Sequence, residues 1–541
     1  MTTNNNWTLG EQDTVTAVFR RAVEARPDHC FIEFEDGTAA TYREFDLLSN
    51  RLAHGLKDLN VQPGDTVSSL LDNNLECVVL WFAVNKLGAI WVPINNALKG
   101  EFLRHQVADS DAKLVIAEQE YCERFKLIED KLEQVATLVY RTEKPEASFD
   151  RLQLTALASA FSDNDSALAD TNKPSDLSML IYTSGTTGLS KGCMMSHNYA
   201  CSLARLSRSS AARNKNDINW SCLPLFHFNA TASTVLATVL TQGRCYFVSR
   251  FSLSQFWKSI RNSGATVVNI IGQMVPLIAK QDDCEDSSAC YGQVRSVVAL
   301  PFDEKLQKIW QTRFGVEIAG ANCYGLSEAS LLTSLPAGEV AKPGSSGRRN
   351  DLFDVLIIDD EGNELAAGEA GEVVCRPRKA NIMFEGYWRN PGKTLEIMQH
   401  MWLHTGDIGK FDEDGFFFFV DRKKDYLRRG GENISSYEVE GALLQHPDIQ
   451  EVAVHSVLSE LSEDEVKATI VLIDGATISE EQLCIWSVDH LPYYAVPRYI
   501  EYRASLPINP LNKVMKYELR DEGVTANTWD RSKAPIDIKK R

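Results

Sequence analysis

The stretch Tyr182-Thr-Ser-Gly-Thr-Thr-Gly-Leu-Ser-Lys-Gly192 constrains this chain more than any other. Ahead of it runs Leu177-Ser-Met-Leu-Ile181, a short apolar segment that reads as a buried strand, and behind it His197–Leu206 carries apolar spacing that suits a helix. Strand, glycine-rich loop and helix together form the layout of a phosphate cradle. Glycines let backbone N–H groups turn toward an anion, and hydroxyls and a lysine supply the remaining donors. A solvated Ser/Thr/Gly surface loop is the bland alternative, but the embedded lysine and apolar flanks weigh against it.

The pattern is not G-x-x-x-x-G-K-[ST]: counting from Gly185, Ser190 stands where glycine is needed and Gly192 where Ser or Thr is needed. The stretch resembles instead the signature of the acyl-adenylate-forming superfamily, which comprises acyl-CoA synthetases, luciferases and the adenylation domains of peptide synthetases. The rest of the chain agrees. Cys323-Tyr-Gly-Leu-Ser-Glu328 resembles the family's Tyr-Gly-x-Thr-Glu with Ser327 in place of Thr. Trp402-Leu-His-Thr-Gly-Asp407 resembles its Thr-Gly-Asp, and Leu506–Lys516 resembles its catalytic-lysine loop, with Asn512 where glycine is usual. Asn tolerates left-handed backbone better than other non-glycine residues. The stretch Trp81–Asn95 looks most like the carnitine/crotonobetaine CoA ligase branch.

The resemblance implies roles residue by residue. Thr183, Ser184, Gly185, Thr186, Thr187 and Lys191 would cradle the phosphates of ATP. Tyr324 would offer a flat face to adenine, Gly325 would permit close approach, and Ser327 would bind the α-phosphate. Glu328 would supply a hard oxygen to Mg²⁺. Asp407 and Arg422 would hold the ribose. His227, in Leu223-Pro-Leu-Phe-His-Phe228, would gate the acyl pocket. Lys424 would be a hinge, and Gly430 and Gly431 would face a tunnel for the pantetheine arm of coenzyme A, with Arg428 or Arg429 near its phosphates. Lys513, in preference to Lys516, would stabilise charge on the carboxylate and α-phosphate. The acyl pocket would be lined from His227–Asn229, Ile271–Met274, Ala299–Leu300 and Ala321–Asn322, none of which carries Asp, Glu, Lys or Arg; the acid's tail is therefore expected to be neutral and mostly apolar.

Bulk properties fit. A chain of 541 residues predicts roughly two to four structural units. Its net charge of −18 argues against a nucleic-acid partner. The twelve cysteines form no C-x-x-C pair, so zinc is not expected and a reducing, cytoplasmic setting is. Met1–Gly10 has no apolar core of a signal peptide, and Val78–Ile94 is too broken by Asn85, Lys86 and Pro93 to span a bilayer.

Along the chain, Asp36-Gly37 marks a hairpin, Thr41 with Glu44 a capping box, and Asn74–Leu87 a helix. Strands and helices then alternate as in βαβ units. Residues 142–176 read as a polar surface connection, residues from 344 as short antiparallel strands, and residues beyond Asp421 as a separate α+β unit. The expected fold is α/β: an N-terminal domain over residues 1–423, with two βαβ-type subdomains and a small β-barrel, and a mobile C-terminal domain over 424–541 carrying Lys513. The expected activity is ATP-dependent ligation of a small carboxylic acid to CoA through acyl-AMP, with a homodimer allowed. No carrier-protein segment is expected after residue 516. The alternatives are an amine, a carrier protein or nitrite as acceptor, or a regulator that binds nucleotide without catalysis.

Overall fold

The computed structural model describes residues 12–183, 189–299, 302, 304–320, 322–335, 339, 342–422, 427–429, 432–458, 464–508, 514–536 and 538. Two seven-stranded sheets dominate the large N-terminal domain. The first runs Gln153–Ala156, Thr137–Arg141, Leu114–Glu118, Thr66–Leu70, Ile90–Pro93, Leu177–Thr183, Lys191–Ser196, and only its last pair is antiparallel. The second runs Ile318–Ala319, Ser296–Val298, Val267–Asn269, Ile218–Ser221, Arg244–Phe247, Cys30–Phe34, Ala39–Thr41, again parallel until the last pair. Central strands such as Leu114–Glu118 are buried throughout, as parallel sheets covered on both faces require.

Local sequence signals account for many of the elements. Thr41 and Glu44 close a reciprocal capping box at the start of helix Tyr42–Asp58. The Asn74 side chain accepts from the Cys77 N–H and starts helix Leu75–Lys86. That helix is apolar nearly all round because it lies between the sheets, with Trp81 stacked on Trp91 at 5.7 Å and the Trp81 indole donating to Ser178 Oγ. Among the described residues no helix is long and apolar enough to cross a membrane.

Residues 142–176 are not only a connection: Gln153–Ala156 adds the edge strand of the first sheet, parallel to Thr137–Arg141. An edge strand needs no apolar face on its open side, so its polar sequence concealed it.

Beyond residue 323 the chain builds antiparallel structure. A three-stranded sheet holds Tyr324–Leu326, Ser330–Ser334 and Arg348–Arg349, and a five-stranded one holds Phe353–Ile358, Gly371–Pro377, Trp402–Phe411, Met398–Gln399 and Phe417–Arg422. The smaller C-terminal domain pairs a hairpin, Leu427–Arg429 with Glu432–Ile434, with a four-stranded sheet of Ile449–Leu458, Asp464–Leu472, Tyr499–Tyr502 and Trp529–Asp530. It has its own apolar core around Val454, Ala468, Leu483 and Ile500. Its contacts with the large domain include Asn95 Nδ2 to Tyr494 Oη (3.3 Å) and Lys99 Nζ to the Val488 carbonyl (3.3 Å).

Candidate active site

The Tyr182 loop is carried differently from the sequence expectation. Strand Leu177–Thr183 enters it and strand Lys191–Ser196 leaves it, antiparallel, with Thr183 opposite Lys191 and Tyr182 opposite Gly192. Helix His197–Ser210 begins only afterwards, capped by Ser196. The layout is strand, loop, strand, helix. The helix N-terminus is therefore set back from the loop, and its dipole is not what meets a phosphate there. Gly192 suits this hairpin because an added Cβ would come within 3.2 Å of the Tyr182 ring. Ser184, Gly185, Thr186 and Thr187 lie outside the described residues.

Four side chains converge at the base of the hairpin. Thr183 Oγ1 donates to Glu328 Oε1 at 3.2 Å, and the Tyr387 hydroxyl donates to the same oxygen at 2.9 Å. Lys191 Nζ lies 4.8 Å from the centre of the Tyr387 ring. Burial pulls the Lys191 ammonium below its ordinary pKa, and the Glu328 carboxylate partly offsets this. Tyr387 arrives because Glu385 and Trp388 donate their N–H groups to Met194 and Gly192 on the outer side of strand Lys191–Ser196. A cation, a hydroxyl and a carboxylate within one cluster suit a polyphosphate. One carboxylate, completed by phosphate oxygens and water, is an ordinary protein contribution to Mg²⁺, so Glu328 fits that ion. No cluster of three or more His, Cys, Asp or Glu side chains among the described residues competes for it.

Tyr324 and Asp407 are brought together: the Tyr324 hydroxyl donates to Asp407 Oδ2 at 2.7 Å. Burial first, then the Asp407 charge, push the Tyr324 phenol well above its ordinary pKa, so it stays a donor. One of the two carboxylate oxygens expected to meet the ribose is thus already engaged. Asp407 lies opposite Arg422 in the pair Trp402–Phe411 and Phe417–Arg422. Tyr324 packs against Phe417 with ring centres 4.7 Å apart. Gly325 does allow a close approach, but of the neighbouring strand: an added Cβ would lie 2.0 Å from the Ser330 carbonyl oxygen. The Ser327 carbonyl accepts from the Tyr199 hydroxyl at 2.8 Å, which ties the Tyr324–Glu328 turn to helix His197–Ser210.

The C-terminal domain reaches the same face. His227 Nε2 sits 3.2 Å from Glu432 Oε1, joining the expected acyl-pocket gate to strand Glu432–Ile434 of the C-terminal domain. Burial lowers the His227 pKa, and the Glu432 carboxylate more than reverses this, leaving it raised. Arg429 is engaged elsewhere: it pairs with Glu465 at 2.9 Å and donates to the Tyr494 and Val496 carbonyls, so it is not free for CoA phosphates. Lys516 pairs with Glu440 at 2.6 Å and donates to Ser436 Oγ. Lys424, Gly430, Gly431 and Lys513 lie outside the described residues, as does the side chain of Arg428.

Sequence reasoning missed Tyr387. The available signal was Phe384-Glu-Gly-Tyr-Trp388, a glycine among aromatics without helical or strand period. It also missed Glu432 and Glu438, which lie in charged stretches that read equally as solvated surface.

Two largely parallel sheets, an antiparallel extension, a smaller α+β domain and a cluster of ammonium, hydroxyl and carboxylate groups at the base of the loop hairpin are the build of an adenylate-forming enzyme. A family model for AMP-binding enzymes matches residues 19–388, a model for the AMP-binding enzyme C-terminal domain matches residues 438–513, and the chain belongs to this family. It is 28% identical over 490 residues to a crotonobetaine/carnitine–CoA ligase of Escherichia coli O17:K52:H18, covering 89% of this chain and 93% of the relative. The corresponding ligase of Shigella sonnei is 29% identical over the same coverage. Among solved structures, the amide bond synthetase McbA from Marinactinospora thermotolerans superposes with a TM-score of 0.78 at 25% identity, covering 93% of this chain and 99% of that one. The o-succinylbenzoate CoA synthetase of Bacillus subtilis shares the fold, with a TM-score of 0.79 at 23% identity over 94% and 99% of the two chains.

Proposed function

We propose that this protein is an ATP-dependent carboxylic acid–CoA ligase. The observation that carries the reading is the convergence of Thr183, Lys191, Glu328 and Tyr387 at the base of the loop hairpin. A carboxylate oxygen attacks the α-phosphorus of ATP, the bond to the β,γ-pyrophosphate breaks, and acyl-AMP forms. The sulfur of the CoA thiol then attacks the acyl carbonyl, its proton passes to solvent, and AMP leaves with the electron pair of the broken carbon–oxygen bond.

This chemistry asks for charge stabilisation and positioning more than for covalent participation. Lys191 meets phosphate oxygens, while Lys513 is assigned to the carboxylate and α-phosphate. Glu328 holds Mg²⁺, which when bound neutralises phosphate charge. Tyr387 and Thr183 orient Glu328 through the hydrogen bonds they already make. Asp407 receives the ribose, with Tyr324 holding its carboxylate in place. Ser184, Gly185, Thr186, Thr187, Ser327 and Arg422 complete the nucleotide site, and Gly430 and Gly431 line the path of the pantetheine arm. Residues 1–423 and 424–541 are the two units that rearrange between the half-reactions about Lys424. The compartment is the cytoplasm.

The CoA ligases among the relatives support CoA as the acceptor. The fold shared with an amide bond synthetase favours an amine as the second choice. A panel of carboxylic acids, incubated with ATP and Mg²⁺ with and without CoA or an amine and read by mass spectrometry, separates them. The expected result is acyl-CoA and AMP with CoA. Amide as the sole acyl product in the presence of both acceptors would replace the thioester reading.

A further inference from the structure

The carboxyl ends of parallel strands form the edge at which doubly wound sheets bind ligands. In the second sheet that edge is built by Ser221, Asn269, Val298 and Ala319, with the segment Gly320 and Asn322 following directly. Just beyond Ser221 the chain forms a π-helix, Asn229–Leu236, a rare conformation that recurs at functional sites.

Two asparagines beside this edge, Asn229 and Asn322, are held through their side-chain oxygens, and a third, Asn269, holds Asn229. Asn269 is 1% exposed, and its Nδ2 donates to Thr234 Oγ1 at 2.8 Å and to Asn229 Oδ1 at 3.3 Å. Asn269 Oδ1 is buried with no hydrogen-bond partner, so this amide is held through its NH₂ end. Asn229 is exposed at the first position of the π-helix. With its oxygen turned inward to Asn269, its own NH₂ is left as the outward donor, and it has no partner among the described residues. Asn322 repeats the arrangement: its Oδ1 accepts from Gln307 Nε2 at 3.2 Å, and Gln307 is anchored on the Phe302 carbonyl at 2.8 Å. Both amides are thus held by the oxygen, and of the two only Asn229 is exposed.

We propose that Asn229, positioned by Asn269, is a specificity residue that reads a hydrogen-bond-accepting oxygen, a carbonyl or hydroxyl, on the acyl portion of the acid. This rests on the adenylation reading above and sharpens it. The described residues of His227–Asn229, Ile271–Met274, Ala299 and Asn322 present no Asp, Glu, Lys or Arg, and the ionisable pair beside them, His227 with Glu432, satisfies itself, so an uncharged oxygen is expected. A fixed outward NH₂ favours an acceptor and is left unpaired by a plain hydrocarbon chain, and such unpaired groups are what make polar sites discriminating.

The test compares kcat/KM for acid-dependent pyrophosphate release using matched pairs: alkanoates and arylalkanoates, each against its oxo or hydroxy counterpart at successive chain positions, 4-oxopentanoate against pentanoate among them. The expected wild-type result is a preference of about tenfold or more for the oxygenated member at one position. In Asn229→Leu that preference falls to within about threefold, with KM for ATP unchanged. Asn229→Asp keeps an inward acceptor for Asn269 and turns an oxygen outward, so it shifts the preference toward an amino-substituted acid. Asn269→Leu weakens the preference while Asn229 is intact, which separates positioning from contact. A wild-type enzyme that adenylates both members of every pair equally, or a preference that survives Asn229→Leu, overturns the inference alone. Absence of pyrophosphate release with every acid overturns the adenylation reading and this inference with it.

Discussion

The backbone N–H of Ser190 donates to Glu438 Oε1 at 2.5 Å, linking the exit of the glycine-rich loop to the first turn of a helix in the other domain. Both residues are buried. Burial raises the Glu438 pKa above the ordinary carboxylate value, against the opposing pull of the Ser190 hydrogen bonds and of His105. The folded protein therefore binds a proton at Glu438 more tightly than the unfolded chain does. The contribution of this group to stability rises as pH falls from neutral through the raised value toward the ordinary one, and gains nothing further below it. Glu438→Gln keeps an acceptor for Ser190 and removes the charge. Its melting temperature should exceed wild type at pH 7.5, and the gap should shrink at pH 5. A gap independent of pH would detach Glu438 from this behaviour.

Tyr387→Phe removes one of the two hydroxyls that hold Glu328 Oε1 while preserving the ring beside Lys191. A hydrogen bond to a charged group contributes about 1.5–3 kcal/mol. The expected loss is roughly tenfold to a hundredfold in kcat/KM for Mg·ATP, with melting temperature little changed. Titration of activity against Mg²⁺ should show a higher concentration requirement. Unchanged magnesium dependence would separate Tyr387 from metal placement.

Gly325→Ala forces a Cβ to 2.0 Å from the Ser330 carbonyl oxygen, a backbone atom that no rotamer change can move. The sheet must open or shift, at a cost of about 3 kcal/mol or more. Chemical denaturation should show a lower midpoint, and nucleotide affinity should fall with it because Tyr324 and Glu328 flank the site of strain.

Lys513→Ala should abolish carboxylate-dependent ATP–pyrophosphate exchange and largely spare thioester formation from synthetic acyl-AMP. Lys516→Ala should act differently. Lys516 is held by Glu440 and Ser436 inside the C-terminal domain, so its loss should lower stability and affect both half-reactions together. The reverse pattern would exchange the two assignments.

Lys424→Pro restricts φ to about −65° at the expected hinge. Thioester formation should suffer more than adenylation, measured as separate half-reactions. Equal effects on both steps would remove Lys424 from that role.

Signals that act within a few residues were legible in the sequence. The Thr41–Glu44 box and the helix that starts at Asn74 depend on near neighbours, and each appears in the structure within a few residues of where the chain predicts it. The strand Lys191–Ser196 was not legible: Lys-Gly-Cys-Met-Met-Ser carries no β-branched residue, and its extended state is imposed by the strand before the loop and by Glu385 and Trp388 beyond it. Helix Met274–Lys280 was hidden by Pro276, which is harmless in a first turn. In the candidate site, Lys191, Glu328, Tyr324 and Asp407 could be picked by motif. The links between them could not, because Tyr324 to Asp407 and Glu328 to Tyr387 join residues 83 and 59 positions apart.

Thr183 and Lys191 face each other across a β-ladder, and that changes how far apart in sequence they must be. A lysine on a helix is tied to its loop by helical register, so one extra residue rotates it away. Here the ladder closes behind the loop and fixes both residues whatever the tip contains. Lengthening the tip costs only loop-closure entropy, about 0.6 kcal/mol for each doubling. Grips built this way can drift in tip length while keeping the same two side chains, and a search by fixed spacing would overlook them where a search for the paired strands would not.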